Sequence, residues 1–174
     1  RNVKQSPQPV FCFCDEGHHF LHSGDSLFAS TCRSSRVAQV LITQNIPNLD
    51  VALGGGDTGR AEAESLLANF GTLIFHCNTC QRTNEFAAGL IGRSLQMFTN
   101  GSLSNQSSDW PMAAMGFGSS GQTSGGFSEA YEYEVQPSAF TRLRTGGPAN
   151  RWEVDAIVMK SGETFRKSGR IYLP

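Results

Sequence analysis

The sequence predicts an α/β fold with a mostly parallel sheet flanked by helices, and three observations carry that expectation. Val10-Phe11-Cys12-Phe13-Cys14 is a β-branched and aromatic run with no polar residue until Asp15. That is the pattern of a strand buried on both faces of a parallel sheet. A second apolar run, Val37 to Thr43, follows a segment with helical spacing, and a third, Thr72 to His76, follows another. Strand–helix–strand order makes βαβ units, hence parallel strands joined by right-handed crossovers.

Composition narrows the classes. The 174 residues suffice for one domain with a proper core, and the net charge of −1 provides no overall basic field for nucleic acid. Any contact with DNA or RNA would be local or come from a part outside these residues. No run of about 18 apolar residues marks a membrane span, and no signal peptide is recognisable. The chain starts at Arg1 and reaches its first strand almost at once, which reads as a piece of something longer. The five cysteines are Cys12, Cys14, Cys32, Cys77 and Cys80, an odd number that fits reduced thiols better than a disulfide framework. Cys77-Asn78-Thr79-Cys80 is a CxxC, but the second paired cluster of a structural zinc site is missing.

The first strand ends on Asp15-Glu16, at the edge where open α/β sheets bind ligands. In P-loop NTPases an Asp in this place holds the Mg²⁺ of a bound nucleotide, and a Glu after it is placed to activate water. Taken alone, the pair equally fits a core strand running into a solvated acidic turn. The loop Gly17 to Gly24 carries His18, His19 and His22, which read as surface residues. Asp25 can cap a helix to Arg33, with Leu27, Phe28 and Thr31 at helical spacing. Because Val10 to Thr43 is a βαβ unit, Gln44 should emerge at the same sheet edge as Asp15 and Glu16. A Gln there can sense a γ-phosphate or orient water.

A short helix is expected over Ile46 to Leu53, with Pro47 tolerated near its start. Gly54-Gly55-Gly56-Asp57-Thr58-Gly59-Arg60 invites a phosphate-loop reading and fails it. A Walker A motif needs GxxxxGK[ST], whereas Arg60-Ala61 follows Gly59, so the stretch reads as a flexible turn. A helix from Arg60 to Phe70 is closed by Gly71, and Thr83-Asn84 could cap another over Glu85 to Arg93.

Several ordered motifs resemble the later half of the conjugative coupling ATPases of type IV secretion systems. These are the TraG/TraD-type DNA pumps, in the stretch called the TraM-recognition domain. The motifs are Asp15-Glu16, Arg33-Ser34-Ser35-Arg36-Val37, Leu41 to Pro47, Gly55-Gly56, Ala61 to Asn69, Ile74-Phe75-His76 and Thr83-Asn84-Glu85. The resemblance runs from about Pro9 to Arg93 and resumes near Phe140. It implies part of a RecA-like P-loop NTPase core in a homo-hexameric ring that drives single-stranded DNA with ATP and Mg²⁺. Asp15 would coordinate Mg²⁺ and Glu16 would activate water. Arg33 would be the arginine finger reaching a neighbour's nucleotide, with Arg36 as the alternative, and Gln44 the γ-phosphate sensor. Implied partners are an accessory or relaxosome protein and the secretion channel, at the cytoplasmic face of the bacterial inner membrane; this piece itself would be soluble. Relatives commonly carry an Asp after His-x-Asn, where this chain has Thr79-Cys80.

The second half differs in character. Residues 99–127 are rich in Gly, Ser, Asn and Gln and read as a flexible insertion between an ATPase part, 1–98, and C-terminal strands, 128–174. Trp110, Met112, Met115 and Phe117 could dock on a neighbour. Ala130 to Val135 alternates like a strand, and Trp152 to Val158 with Glu163 to Leu173 read as an antiparallel hairpin around Ser161-Gly162. Arg142, Arg144, Arg166, Lys167 and Arg170 make this end locally basic, as a solvated face or a channel lining. The expected function is thus an ATPase-core fragment that lacks its own Walker A. The alternatives are a docking module without catalysis or a related hexameric DNA-pumping ATPase.

Overall fold

The computed structural model describes residues 4–5, 8–104 and 122–174. The chain divides into two units, one of Arg1–Ile91 with Val135–Pro174, the other of Gly92–Glu134. In the first, β1 (Val10–Cys14) pairs in parallel with β2 (Val37–Leu41), in register from Val10 opposite Val37 to Cys14 opposite Leu41. A 3-10 turn (Gly17–His19), α1 (Asp25–Thr31) and a second 3-10 turn (Cys32–Ser35) make the crossover, as the βαβ pattern requires.

α2 (Ile46–Ala52) is capped by Asn45, whose side chain accepts from the Asn48 N–H, and Pro47 sits in the first turn where it costs no hydrogen bond. α3 (Gly56–Ala68) starts inside the glycine run. Gly54 (φ 109°) and Gly55 (φ 70°) make the turn, and the buried Gly59 has another task. A Cβ there would stand 2.4 Å from the Asp50 carbonyl oxygen, so Gly59 lets α3 approach the backbone of α2. The stretch expected to be only a flexible turn is therefore a helix–helix contact. Leu49, Leu53, Ala63 and Leu66 form the core between α2 and α3, with Leu21, Ala29, Leu41, Leu67 and Phe70 packed around it.

The expectation for β1 needs correction. Phe11 is 61% and Phe13 73% exposed, so β1 is not buried on both faces. Among the described residues its sheet has two strands, and β3 (Thr72–Phe75) does not extend it. β3 pairs antiparallel with β6 (Ile157–Lys160), which pairs antiparallel with β7 (Tyr172–Leu173). Among the described residues the sheet is thus not mostly parallel. The physical reason is the partner: β6 brings the buried Ile157 and Met159, while Phe75 meets the buried Phe140 edge-to-face at 5.9 Å. Phe140 belongs to α5 (Pro137–Phe140), with Pro137 in its first turn. The C-terminal hairpin is shorter than expected. Trp152 lies outside any strand at φ 61° and is 76% exposed.

α4 (Gln81–Ile91) also starts earlier than expected. Thr83 and Asn84 lie inside it and are buried, so they do not cap it. Thr83 instead accepts a hydrogen bond from the Ile46 N–H at 3.1 Å, satisfying a donor at the start of α2. Arg82 forms an ion pair with the buried Asp50, joining α4 to α2 again.

The second unit is a hairpin of β4 (Arg93–Ser104) and β5 (Gln122–Tyr133), in antiparallel register from Arg93 opposite Tyr133 to Ser104 opposite Gln122. The Arg93 guanidinium lies 4.4 Å from the Tyr133 ring centroid and also donates to the Tyr133 hydroxyl. Residues 99–104 and 122–127 of the expected insertion lie within this ladder. Residues 105–121, with Trp110, Met112, Met115 and Phe117, lie outside the described residues.

Candidate functional site

Parallel pairing decides what the two strand ends share. The ladder continues one step past each strand: Ile42 N–H donates to Cys14 O at 2.9 Å, and Gly17 N–H donates to Ile42 O at 2.8 Å. Asp15 and Glu16 occupy the turn that this step closes. Glu16 takes a left-handed conformation (φ 48°), and its N–H donates to Asp15 Oδ1 at 2.9 Å. Both carboxylates are exposed and of the oxygen type that Mg²⁺ takes. Gly17 is buried against Leu41, with no room for a Cβ unless the Leu41 side chain moves, which pins the turn to β2.

Gln44 follows β2 at the same edge and is exposed. Its carbonyl accepts from Asn78 Nδ2 at 2.7 Å. Asn78 in turn accepts from the Cys80 N–H through Oδ1 at 2.7 Å, and its carbonyl accepts from Asn84 Nδ2 at 2.9 Å. The loop after β3 is therefore tied to the loop after β2 by an amide network that spacing does not reveal. The signal available in the sequence was Asn78, Thr83 and Asn84 close together, which reads locally as caps and turns. Cys80 closes the CxxC that begins at Cys77 and is half-buried. Hydrogen bonding with Thr83 holds its thiol below the ordinary value, against the opposing pull of burial.

Asp15, Glu16 and Gln44 thus share one edge, and Arg33 does not. Arg33 lies in the 3-10 turn before β2, where the neighbouring Arg36 carbonyl accepts from Val10 N–H at 2.9 Å, at the start of β1. The five-residue strand separates the two ends by roughly 15 Å. Arg33, Arg36, Pro9, Val37 and Ala38 line an open surface at that far end. Among the described residues no helix is long and apolar enough to cross a membrane.

No protein-family profile and no curated protein sequence matches the chain. Among solved structures it is similar to the bacterial conjugative coupling protein TrwBdeltaN70 in its unbound monoclinic form, with a TM-score of 0.57 and 18% identity. That match covers 95% of this chain and 30% of the coupling protein, so the chain spans under a third of its length. At this identity the likeness is one of fold: the mixed α/β arrangement is shared with a segment of that protein.

Proposed function

We propose that the chain is the later part of the RecA-like ATPase core of a coupling protein that moves DNA in conjugation and type IV secretion. The observation that carries this reading is the parallel β1–β2 pair, which brings Asp15-Glu16 and Gln44 to one sheet edge. The fold likeness to a coupling protein is in line with it. On this reading the edge is one part of a divided nucleotide site. Asp15 would hold the Mg²⁺ of ATP, Glu16 would take the proton from the attacking water, and the Gln44 amide would report the γ-phosphate. The phosphate-cradling loop and its Lys would come from another segment of a longer protein. Arg33 is too far from Asp15 to serve the same nucleotide, and a finger that reaches a neighbour's site needs that separation. A homo-hexameric ring on single-stranded DNA, at the cytoplasmic face of the inner membrane beside the secretion channel, is the assembly this arrangement suits.

A second reading is a module that docks an accessory or relaxosome protein without chemistry of its own. The exposed Phe11 and Phe13 favour it, because an uncovered aromatic strand is a surface for a partner. A related DNA-pumping ATPase outside conjugation would use the same site. The test is ATP turnover in the longer protein. Glu16→Gln should cut it by about 10²–10⁴-fold while ATP still binds, and Asp15→Asn should weaken the Mg²⁺-dependent part of binding. Residues 1–174 alone should bind ATP poorly and hydrolyse none. Asp15-dependent turnover at a normal rate by this chain alone would overturn the divided site, and unchanged turnover in Glu16→Gln would favour the docking module.

A further inference from the structure

The turn that presents Glu16 also gathers two imidazoles. Glu16, His18 and His19 each offer one ligand atom, and these atoms all lie within 4.8 Å of one another. Glu16 Oε2 is 3.5 Å from His19 Nε2, and donors around a tetrahedral Zn²⁺ stand about 3.4 Å apart. The two His rings lie 4.2 Å apart centroid to centroid, close enough for a small closure to bring one nitrogen of each to a shared ion. Thr43 Oγ1 lies 3.4 Å from His18 Nδ1, the sort of contact that orients a metal-ligating imidazole from behind. The frame is rigid. His19 N–H donates to Glu16 O at 3.0 Å, Phe20 N–H donates to Gly17 O at 2.9 Å, and Gly17 is bonded to β2. His22 is engaged elsewhere, since its Nδ1 accepts from Gly24 N–H at 3.0 Å and faces Asp25.

We propose that Glu16, His18 and His19 form a carboxylate–imidazole site for a divalent transition metal of the Zn²⁺ class. Two neutral imidazoles and one carboxylate are a borderline-soft set that suits Zn²⁺ and leaves a fourth position for water. A carboxylate ligated to Zn²⁺ is a much weaker base toward water, because the cation draws on its lone pairs. Occupation would therefore suppress the general base; this consequence rests on the function proposed above, whereas binding itself does not.

Binding is tested on the chain itself by Co²⁺ absorption and Zn²⁺ competition. The expected result is a tetrahedral Co²⁺ spectrum without thiolate-to-cobalt charge transfer. His18→Ala and His19→Ala should each weaken Zn²⁺ binding by at least about tenfold, with unchanged circular dichroism. His22→Ala and His76→Ala should bind as the native chain does. Unchanged affinity in both His18→Ala and His19→Ala would overturn the site, and so would a thiolate band that disappears in Cys77→Ser. In the longer protein, Zn²⁺ should inhibit ATP turnover in the native form and not in His19→Ala. Zn²⁺ binding without inhibition would remove the regulatory role alone. Turnover that does not need Glu16, with Zn²⁺ binding intact, would overturn the functional reading and leave the metal site standing.

Discussion

The β1–β2 pair is the more apolar in sequence, yet the α2–α3 layer beside it is the better buried. Leu49 is fully buried and Leu66 is 2% exposed, whereas Phe13 in β1 is 73% exposed. A helix pair can bury its apolar stripe by itself, but a two-stranded sheet has one face left over when only one layer covers it. The core that holds this unit is therefore helical, and the sheet acts as a ledge on which the acidic edge is displayed. The exposed aromatic face is what a partner would cover, which is why the docking reading draws on it.

That contrast can be broken by mutation. Leu66→Ala should cost about 2–5 kcal/mol in urea unfolding, because α2 and α3 cannot collapse onto the lost volume. Phe13→Ser should change the isolated chain by less than about 0.5 kcal/mol while reducing its self-association. Equal costs at the two positions would mean that β1 is covered in solution, and the ledge description would fall.

Gly59→Ala probes how closely the helical layer is set. The added methyl meets the Asp50 carbonyl oxygen at 2.4 Å, and that neighbour is backbone, so α3 must move away from α2. The expected loss is about 1–3 kcal/mol, offset in part by the better helix propensity of Ala. Gly89→Ala in α4, where nothing stands within 4 Å of the added atom, is the control and should be neutral or stabilising. A similar response at both glycines would mean that the close approach of α3 to α2 carries no energetic weight.

The same contrast explains what could be read from the sequence. The unit Val10 to Leu41 was legible because its strands, crossover and acidic stop are local, and the shared edge of Asp15, Glu16 and Gln44 follows from chain direction alone. The partner of β3 was not legible. An apolar run specifies a strand, but the choice between β2 and the distant β6 depends on side chains from Ile157 and Phe140. Gly59 looked like loop because its task is set by the carbonyl of Asp50 on another helix. Thr83 looked like a cap for its own helix and serves α2 instead. His18 and His19 looked like surface residues, and by exposure His19 is one. Their meeting with Glu16 depends on a left-handed turn that a non-glycine residue does not advertise.

The smallest expected effect lies at an exposed contact, where titration replaces packing as the probe. Arg144 forms ion pairs with Asp155 and Glu153, and the Asp155 carbonyl lies 3.2 Å from His76 Nδ1, at the end of β3. Hydrogen bonds from the Arg144 side chain and N–H hold the Asp155 carboxyl at about 2, below its ordinary 3.8, while Arg144 is pushed further above its usual range. The folded-state value is depressed, so the contact stabilises fully above about pH 4 and is lost as pH falls through about 2. Arg144 stays charged throughout and adds no titration of its own. The urea midpoint of the native chain should exceed that of Asp155→Asn by a constant, small amount above pH 4, and the gap should close toward pH 2. Solvent and salt screen the pair, so the gap should also shrink with added salt, unlike the loss from Leu66→Ala. A gap that persists unchanged at pH 2 would mean that Asp155 works through its backbone position and not through its charge.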